Sequence, residues 1–146
     1  MATWTTPKTD WSASYDSGGT YTGDYFSYVD FNRIRNNLDA LTELADTLYV
    51  LRLTGELPNV KAVSDYPYAD EINLLEKRLH EVNAQSINGN IGTQKSFSDN
   101  GAFIDATELN RIEGATLNLY RILTEQAGGR RMLKFRLGFT SGSIKF

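Results

Sequence analysis

One apolar pattern occurs three times along the chain, and it constrains the fold more than any other feature. Apolar side chains at offsets 0, 3, 7 and 10 form one face of an α-helix. The three copies begin at Phe31, Ile72 and Leu109, and the third has Thr116 at offset 7. Every copy has Asn at offset 1 and a charged residue at offset 4. The sequence therefore predicts three helices from one approximate repeat of roughly forty residues.

Capping and stop signals set the predicted limits of these helices. The expected ranges are about 30–51, 70–85 and 105–127. Asp30 is placed to cap the first helix. Asp105 and Glu108 have the spacing of a capping box at the start of the third. Gly128 and Gly129 are expected to end the third helix, because glycine readily adopts the left-handed conformation past a helix terminus.

The residues outside the helices predict two arms. Residues 1–28 lack a helical period and contain the turn signal Asp16-Ser-Gly-Gly, so an irregular or hairpin arm is expected. Residues 130–146 alternate apolar and basic side chains before a second turn, which is typical of a β-hairpin or strand arm. The expected fold class is mainly α, with a three-helix domain over 29–129 between an aromatic N-terminal arm and a C-terminal β arm.

Composition argues against several classes of function. Cysteine is absent, which removes disulfides, thiolate nucleophiles and thiolate metal sites. The net charge of −3 argues against a nucleic-acid partner, and no apolar run is long enough to span a membrane. His80 is the only histidine and is interpreted as a surface helix residue. We expect no cofactor, no metal, no membrane contact and no enzyme activity, because no carboxylate pair stands in a catalytic motif.

The recurring asparagines are the candidate structural side chains. Asn is a middling-to-poor helix residue, so its return beside each apolar stripe needs an explanation. We hypothesise that each amide bonds the backbone of a loop packed on its helix; the alternative is that duplication left the residues in place. The asparagines concerned are Asn32, Asn73 and Asn110.

Aromatic and basic residues supply the candidate interface. Trp4 and Trp11 are either sugar-stacking platforms or anchors that hold the N-terminal arm on a core or a neighbour, and we favour anchors. The basic residues between Arg130 and Arg136 are interpreted as a solvated strand face or a salt-bridged interface. Residues 131–146 are expected to gain their final structure against a partner chain; the alternative is folding back onto their own helices. The full candidate set is Trp4, Trp11, Tyr25, Phe26, Leu133, Phe135, Leu137 and Phe139.

Six stretches of the sequence resemble one family. They are TWTTPKTDW, GDYFSYVDFNRIRNNLDAL, YADEINLLEKRL, IGTQKSF, IDATELNRIEGATL and GRRMLKFRLG. They resemble small structural proteins from the tail modules of phages and prophages of Gram-positive, Firmicutes-type bacteria. The middle unit departs from the outer two, with Leu74-Leu75 where they have Arg-Ile.

The resemblance implies a role in the virion rather than a reaction. It suggests a non-enzymatic tail-tip or baseplate component that links neighbouring tail proteins and is assembled in the bacterial cytoplasm. Tail structures are built on rotational symmetry, so a trimer or hexamer in the particle is expected. The alternative is a receptor-facing carbohydrate-binding module, based on the two tryptophans and the tyrosine-rich arm.

Overall fold

The described part of the chain is mainly helical, as predicted. The computed structural model describes residues 2–99, 101 and 103–140, with side chains through Gly129. Three helices follow one another: α1 (Tyr28–Leu48), α2 (Ala69–Ala84) and α3 (Ala106–Thr140). Within the described ranges, the only β-type pairing is a single antiparallel bridge between Tyr15 and Tyr21.

All three helices begin in the same register relative to the repeat. Phe31, Ile72 and Leu109 are each the fourth residue of their helix. The predicted cap of α1 was wrong, because Ser27 is the N-cap and Asp30 is the third helical residue. The Asp30 carboxylate accepts a hydrogen bond from the Ser27 backbone N–H at 3.0 Å. A serine cap with an acidic third residue satisfies donors that a lone aspartate cap would leave free.

The other two helices also have an acidic third residue. Glu71 accepts a hydrogen bond from the Tyr68 backbone N–H at 3.1 Å. In α3 the predicted cap is confirmed, because Asp105 accepts a hydrogen bond from the Glu108 backbone N–H at 2.9 Å. Negative charge in the first turn also interacts favourably with the helix dipole.

Helix α3 does not end at Gly128 and Gly129, where an end was predicted. Neither glycine adopts the left-handed conformation. A glycine costs a helix about 1 kcal/mol relative to alanine, but its N–H stays available for the helical bond. The backbone of α3 is described through Thr140. The side chains of 130–140 and the whole of 141–146 lie outside the described residues, so the hairpin predicted for 130–146 stays a prediction.

Helices α1 and α3 run parallel. Near their starts, the Arg33 guanidinium bonds the Glu113 carboxylate at 2.8 Å. At the other end, the Tyr49 hydroxyl just after α1 donates to the Gln126 side chain late in α3 at 3.0 Å. Two contacts at matching heights fix the common direction.

The connection from α1 to α2 returns along the bundle, so α2 is parallel to α1 as well. Segment 49–68 first meets Gln85 and Glu81, near the end of α2. It then meets Arg35 and Asn32, near the start of α1. We call such a stretch a return segment, because it runs from the end of one helix to the start of the next.

The N-terminal arm occupies the position of a third return segment. Its first residues bond Glu43 and Asn37 in α1, and its later residues bond Glu113 and Asn110 in α3. It therefore lies between α3 and α1, as segment 49–68 lies between α1 and α2. Segment 85–105 is the return segment between α2 and α3, since it meets Asn83 near the end of α2 and then Asn73 near its start. Three helices thus alternate with three return segments in an approximate three-fold arrangement around the core.

The arm contains the predicted turn. The Gly19 N–H donates to the Asp16 carbonyl at 3.1 Å, and Gly19 has a φ of 84°. Only glycine adopts that conformation without steric cost. Further along, the Thr22 N–H donates to the Ser14 carbonyl at 2.8 Å, so the turn closes a short irregular hairpin.

The core is built from the three apolar stripes. Its side chains come from all three helices, and full burial of each contributes roughly 1.5–3 kcal/mol. The largest fully buried apolar side chains are Phe31, Leu38, Leu41, Leu75, Leu79, Val82, Ile112, Leu119 and Leu123. The N-terminal arm adds Trp11, which is 6% exposed.

Candidate interaction site

Each repeat asparagine makes the loop contact hypothesised from the sequence. The Asn32 side chain donates to the Lys61 carbonyl at 2.8 Å and accepts from the Lys61 N–H at 2.7 Å. We call this two-bond arrangement an amide clamp. The equivalent clamps are Asn73 with Phe97 and Asn110 with Trp11. Each clamp binds the return segment that leads to the next helix in cyclic order.

Three further amide clamps were not predicted. They join Asn37 with Thr5, Asn83 with Gly89, and Gln85 with Arg52. These side chains stand at positions that do not recur between the helices, so the repeat gave no signal for them. The described residues contain six amide clamps in all, distributed over every return segment. A part-buried backbone without regular secondary structure needs such partners.

A buried carboxylate connects α3, α1 and the N-terminal arm. The Glu113 side chain is 1% exposed. It accepts two bonds from the Arg33 guanidinium, both at 2.8 Å. The Trp11 indole N–H and the Lys8 backbone N–H donate to it at 2.6 and 3.0 Å. A fork of this kind combines directional bonding with charge pairing.

The same helix–helix pairing recurs once and is missing once. Arg111 is the sixth residue of α3 and bonds Glu76, the eighth residue of α2, just as Arg33 bonds Glu113. In the third interface the equivalent positions hold Leu74 and Arg35. Arg35 instead donates to the Pro58 carbonyl at 2.9 Å. The middle unit thus has Leu74 where the outer units have the arginine of this pair, and the facing position has Arg35 where the other two interfaces have a glutamate.

We predict that the missing pair can be installed. Leu74→Arg alone should destabilise the fold, because it brings a second guanidinium towards Arg35. Arg35→Glu alone should also destabilise it, because the bond to Pro58 is lost. The double variant should be more stable than additivity predicts, by about 0.5–3 kcal/mol. Urea unfolding of the four proteins measures this coupling.

A neutral cycle is the control for the installed pair. Leu74→Gln and Arg35→Gln carry no charge and should show almost no coupling. Additive effects in the charged cycle would mean that these positions do not face each other as their equivalents do.

Two buried polar atoms in α2 lack a hydrogen-bond partner among the described residues. They are Oε2 of Glu76 and Nε2 of His80, which lie 3.4 Å apart. The His80 side chain is 23% exposed, and the ring nitrogen that faces Glu76 is buried. The interpretation of His80 as a surface residue was therefore wrong for this nitrogen. Burial raises the pKa of Glu76 despite the neighbouring Arg111. Burial, and then Arg111, lower the pKa of His80.

His80 should make stability depend on pH. His80 has a pKa near 6.5 in the unfolded chain and a lower pKa in the folded protein. Between these two pKa values the unfolded state therefore binds more protons than the folded state. This contribution is present above pH 6.5 and is lost as the pH falls through the folded pKa. We therefore expect the free energy of unfolding of the wild type to fall, relative to that of His80→Gln, as the pH is lowered from 7.5 to acidic values. Urea unfolding at each pH measures this difference.

The raised pKa of Glu76 acts in the opposite direction, since its contribution is lost as the pH rises. The comparison is therefore repeated in a Glu76→Gln background. The sign should be retained there, because burial is the main cause of the His80 shift. A wild-type minus His80→Gln difference that is constant with pH would contradict the prediction.

The end of the bundle where the helices start carries three exposed aromatic side chains in equivalent positions. Tyr25, Tyr66 and Phe103 each lie three residues before the first residue of a helix. They are 75%, 76% and 52% exposed. Because the helices are parallel, all three lie at the same end, which we call the aromatic end. Of these three rings only Tyr25 was a candidate from the sequence, because the predicted helix starts at about 30, 70 and 105 do not place the rings in equivalent positions.

Apolar grooves flank Phe103 on both sides. The groove towards the N-terminal arm has a volume of about 360 Å³, and the groove towards α2 about 150 Å³. The first is lined mainly by Trp11, Tyr25, Phe26, Ile104 and Leu109. The second is lined mainly by Tyr68, Ile72, Phe97 and Ile104. An exposed ring between two apolar grooves is a typical anchor for a partner.

The predicted interface residues fall into three groups. Trp11 is buried, and Trp4 stacks on Tyr120 with ring centroids 3.7 Å apart, so both tryptophans anchor the arm on this chain's own core. Tyr25 is exposed at the aromatic end, whereas Phe26 packs partly buried against Trp11. The remaining candidates lie beyond the described side chains: Leu133, Phe135, Leu137 and Phe139.

Comparisons with known proteins identify no relative of this chain. No family model, curated protein or solved structure matches the chain. Across the described residues, no cluster of three or more His, Asp or Glu side chains could hold a metal ion. None of the helices described has both the length and the apolar character needed to cross a membrane.

Proposed function

We propose that the protein is a non-enzymatic structural component of a phage tail. It acts at the tail tip or baseplate, links neighbouring tail proteins, and is present in several copies per virion after assembly in the bacterial cytoplasm. The six stretches that resemble tail-module proteins are the starting point. The observation that carries the linking role is the aromatic end.

The aromatic end has the physical properties of a protein contact surface. Exposed Tyr and Phe side chains are frequent energetic centres of interfaces. Here they stand on segments that the amide clamps hold in place: Asn32 binds Lys61 five residues before Tyr66, and Asn73 binds Phe97 six residues before Phe103. A surface that is already ordered loses little entropy when a partner binds.

The carbohydrate-binding alternative loses its main support. It was based on Trp4, Trp11 and the tyrosine-rich arm, but Trp11 is buried and Tyr120 covers one face of Trp4. A sugar platform needs an open aromatic face. A link between proteins is therefore the better proposal.

Deletion of the gene in a phage or prophage that carries it tests the proposal. Electron microscopy should show particles with an incomplete tail tip or baseplate, and mass spectrometry should find the protein in purified wild-type virions. Complementation with wild type should restore the tails, whereas Tyr66→Ser with Phe103→Ser should not. Val50→Ser is the matched control, because Val50 is 87% exposed and follows α1 at the opposite end. Wild-type virions without the protein would overturn the proposal.

A further inference from the structure

The last residues of the chain differ in charge from the rest. Residues 130–146 contain five Lys or Arg and no Asp or Glu. Because the whole chain carries −3, residues 1–129 carry −8. The same short stretch is rich in apolar side chains, namely Leu133, Phe135, Leu137, Phe139, Ile144 and Phe146. We call residues 130–146 the tail. A basic, apolar tail fits an acidic surface with apolar grooves.

The aromatic end is such a surface. Exposed carboxylates surround it, from Asp65, Asp70, Asp99 and Asp105. Asp99 and Asp105 line grooves beside Phe103. The nearby lysines are already paired, Lys61 with Glu71 at 2.6 Å and Lys95 with Glu108 at 3.0 Å. The excess charge here is therefore negative.

The tail of the same molecule starts at the wrong end to reach this surface directly. Helix α3 begins at the aromatic end, and Gly129 lies about 35 Å further along the helix axis. The routes back along the bundle are the grooves between helices, and the clamped return segments already fill them. The tail of another molecule meets no such obstacle.

We infer that the aromatic end of one molecule binds the tail of a second copy. Apolar side chains of the tail occupy the grooves beside Phe103, and its Lys and Arg side chains pair with the surrounding carboxylates. The contact is heterologous, since it joins two different surfaces. Each molecule in a pair keeps one surface free, so the copies continue into a ring or an open chain. This inference rests on the chain's own two surfaces and stands independently of a role in a phage.

Two variants of the full chain separate the two surfaces. The face variant carries Tyr66→Ser and Phe103→Ser, and the tail variant carries Arg131→Glu, Lys134→Glu and Arg136→Glu. In sedimentation velocity, wild type should grow beyond a dimer with rising concentration, and Val50→Ser should behave the same. Each of the two variants alone should remain monomeric, with the dissociation constant raised at least about tenfold. Unchanged melting temperatures verify that both variants are folded.

Mixing the two variants is the decisive measurement. The face variant keeps an intact tail, and the tail variant keeps an intact aromatic end, so the mixture has one working contact. It should form a one-to-one dimer that grows no further, and higher salt should weaken it. No dimer in the mixture, or wild-type association that survives the tail variant, would overturn the inference.

Folding back within one molecule is the remaining alternative. It predicts a wild-type monomer at every concentration, with trypsin cleavage of the tail accelerated in the face variant to a concentration-independent extent. That result would also overturn the inference.

Discussion

Glu113→Ala is expected to lower the free energy of unfolding by about 3–5 kcal/mol, because it breaks a buried ion pair and leaves Arg33 with Asp30 as its remaining ionic partner. Arg33 loses two bonds, and the Trp11 indole and Lys8 backbone lose their acceptor. Each kcal/mol corresponds to about 2–4 °C of melting temperature at this chain length. Thermal and urea unfolding followed by circular dichroism measure the loss.

The matched control for Glu113→Ala is Glu125→Ala, an exposed carboxylate in the same helix. It should change stability by less than about 0.5 kcal/mol. The pair Arg33→Met with Glu113→Leu should recover much of the loss, since a buried ion pair can be replaced by apolar residues with little cost. A Glu113→Ala protein as stable as the control would mean that the buried network contributes nothing.

Removing two amide clamps is expected to have the second largest effect. Asn32→Ala and Asn110→Ala each break two hydrogen bonds and leave a part-buried backbone N–H and C=O without partners. A fully buried unsatisfied group costs about 1–3 kcal/mol; the two groups at each clamp are only part-buried, so we expect about 1–3 kcal/mol per clamp and about 2–6 kcal/mol for the double variant. Urea unfolding measures the total, and hydrogen exchange should show faster loss of protection at the Lys61 and Trp11 amides.

Asn118→Ala is the matched control for the clamps. Asn118 is an exposed asparagine in the same helix as Asn110. Its replacement should be neutral or slightly stabilising, because alanine is the better helix former. Equal melting temperatures for the clamp double variant and this control would leave duplication as the explanation for the repeat asparagines.

The sequence was sufficient to place the helices and their register. The spacing from Phe31, Ile72 and Leu109 reports local helical geometry, which neighbouring residues determine. The caps were less predictable, since Ser27 and Asp30 are both good candidates and only their joint geometry decides. Gly128 was misleading because a glycine permits a helix to end but does not require it.

The relation between the helices could not be predicted in the same way. A long connector is compatible with either helix direction, and the return path of 49–68 depends on contacts with two helices at once. The clamps by Asn37 and Gln85 lie at positions without a repeat, so only tertiary structure reveals them. The aromatic end was partly visible as Tyr25, but its equivalence with Tyr66 and Phe103 depends on helix starts known to the residue.

The place of the N-terminal arm has a consequence for biosynthesis. Its partners in α3 are about a hundred positions away along the chain: Asn110 is 99 residues from Trp11, and Glu113 is 105 residues from Lys8. Contacts this distant in sequence form slowly, because a long loop must close first. On the ribosome, α1 and α2 emerge with the segment between them and can pair early, whereas Trp11 has to wait for α3. Lys8 and Trp11 thus emerge long before α3 but reach their final positions only after it.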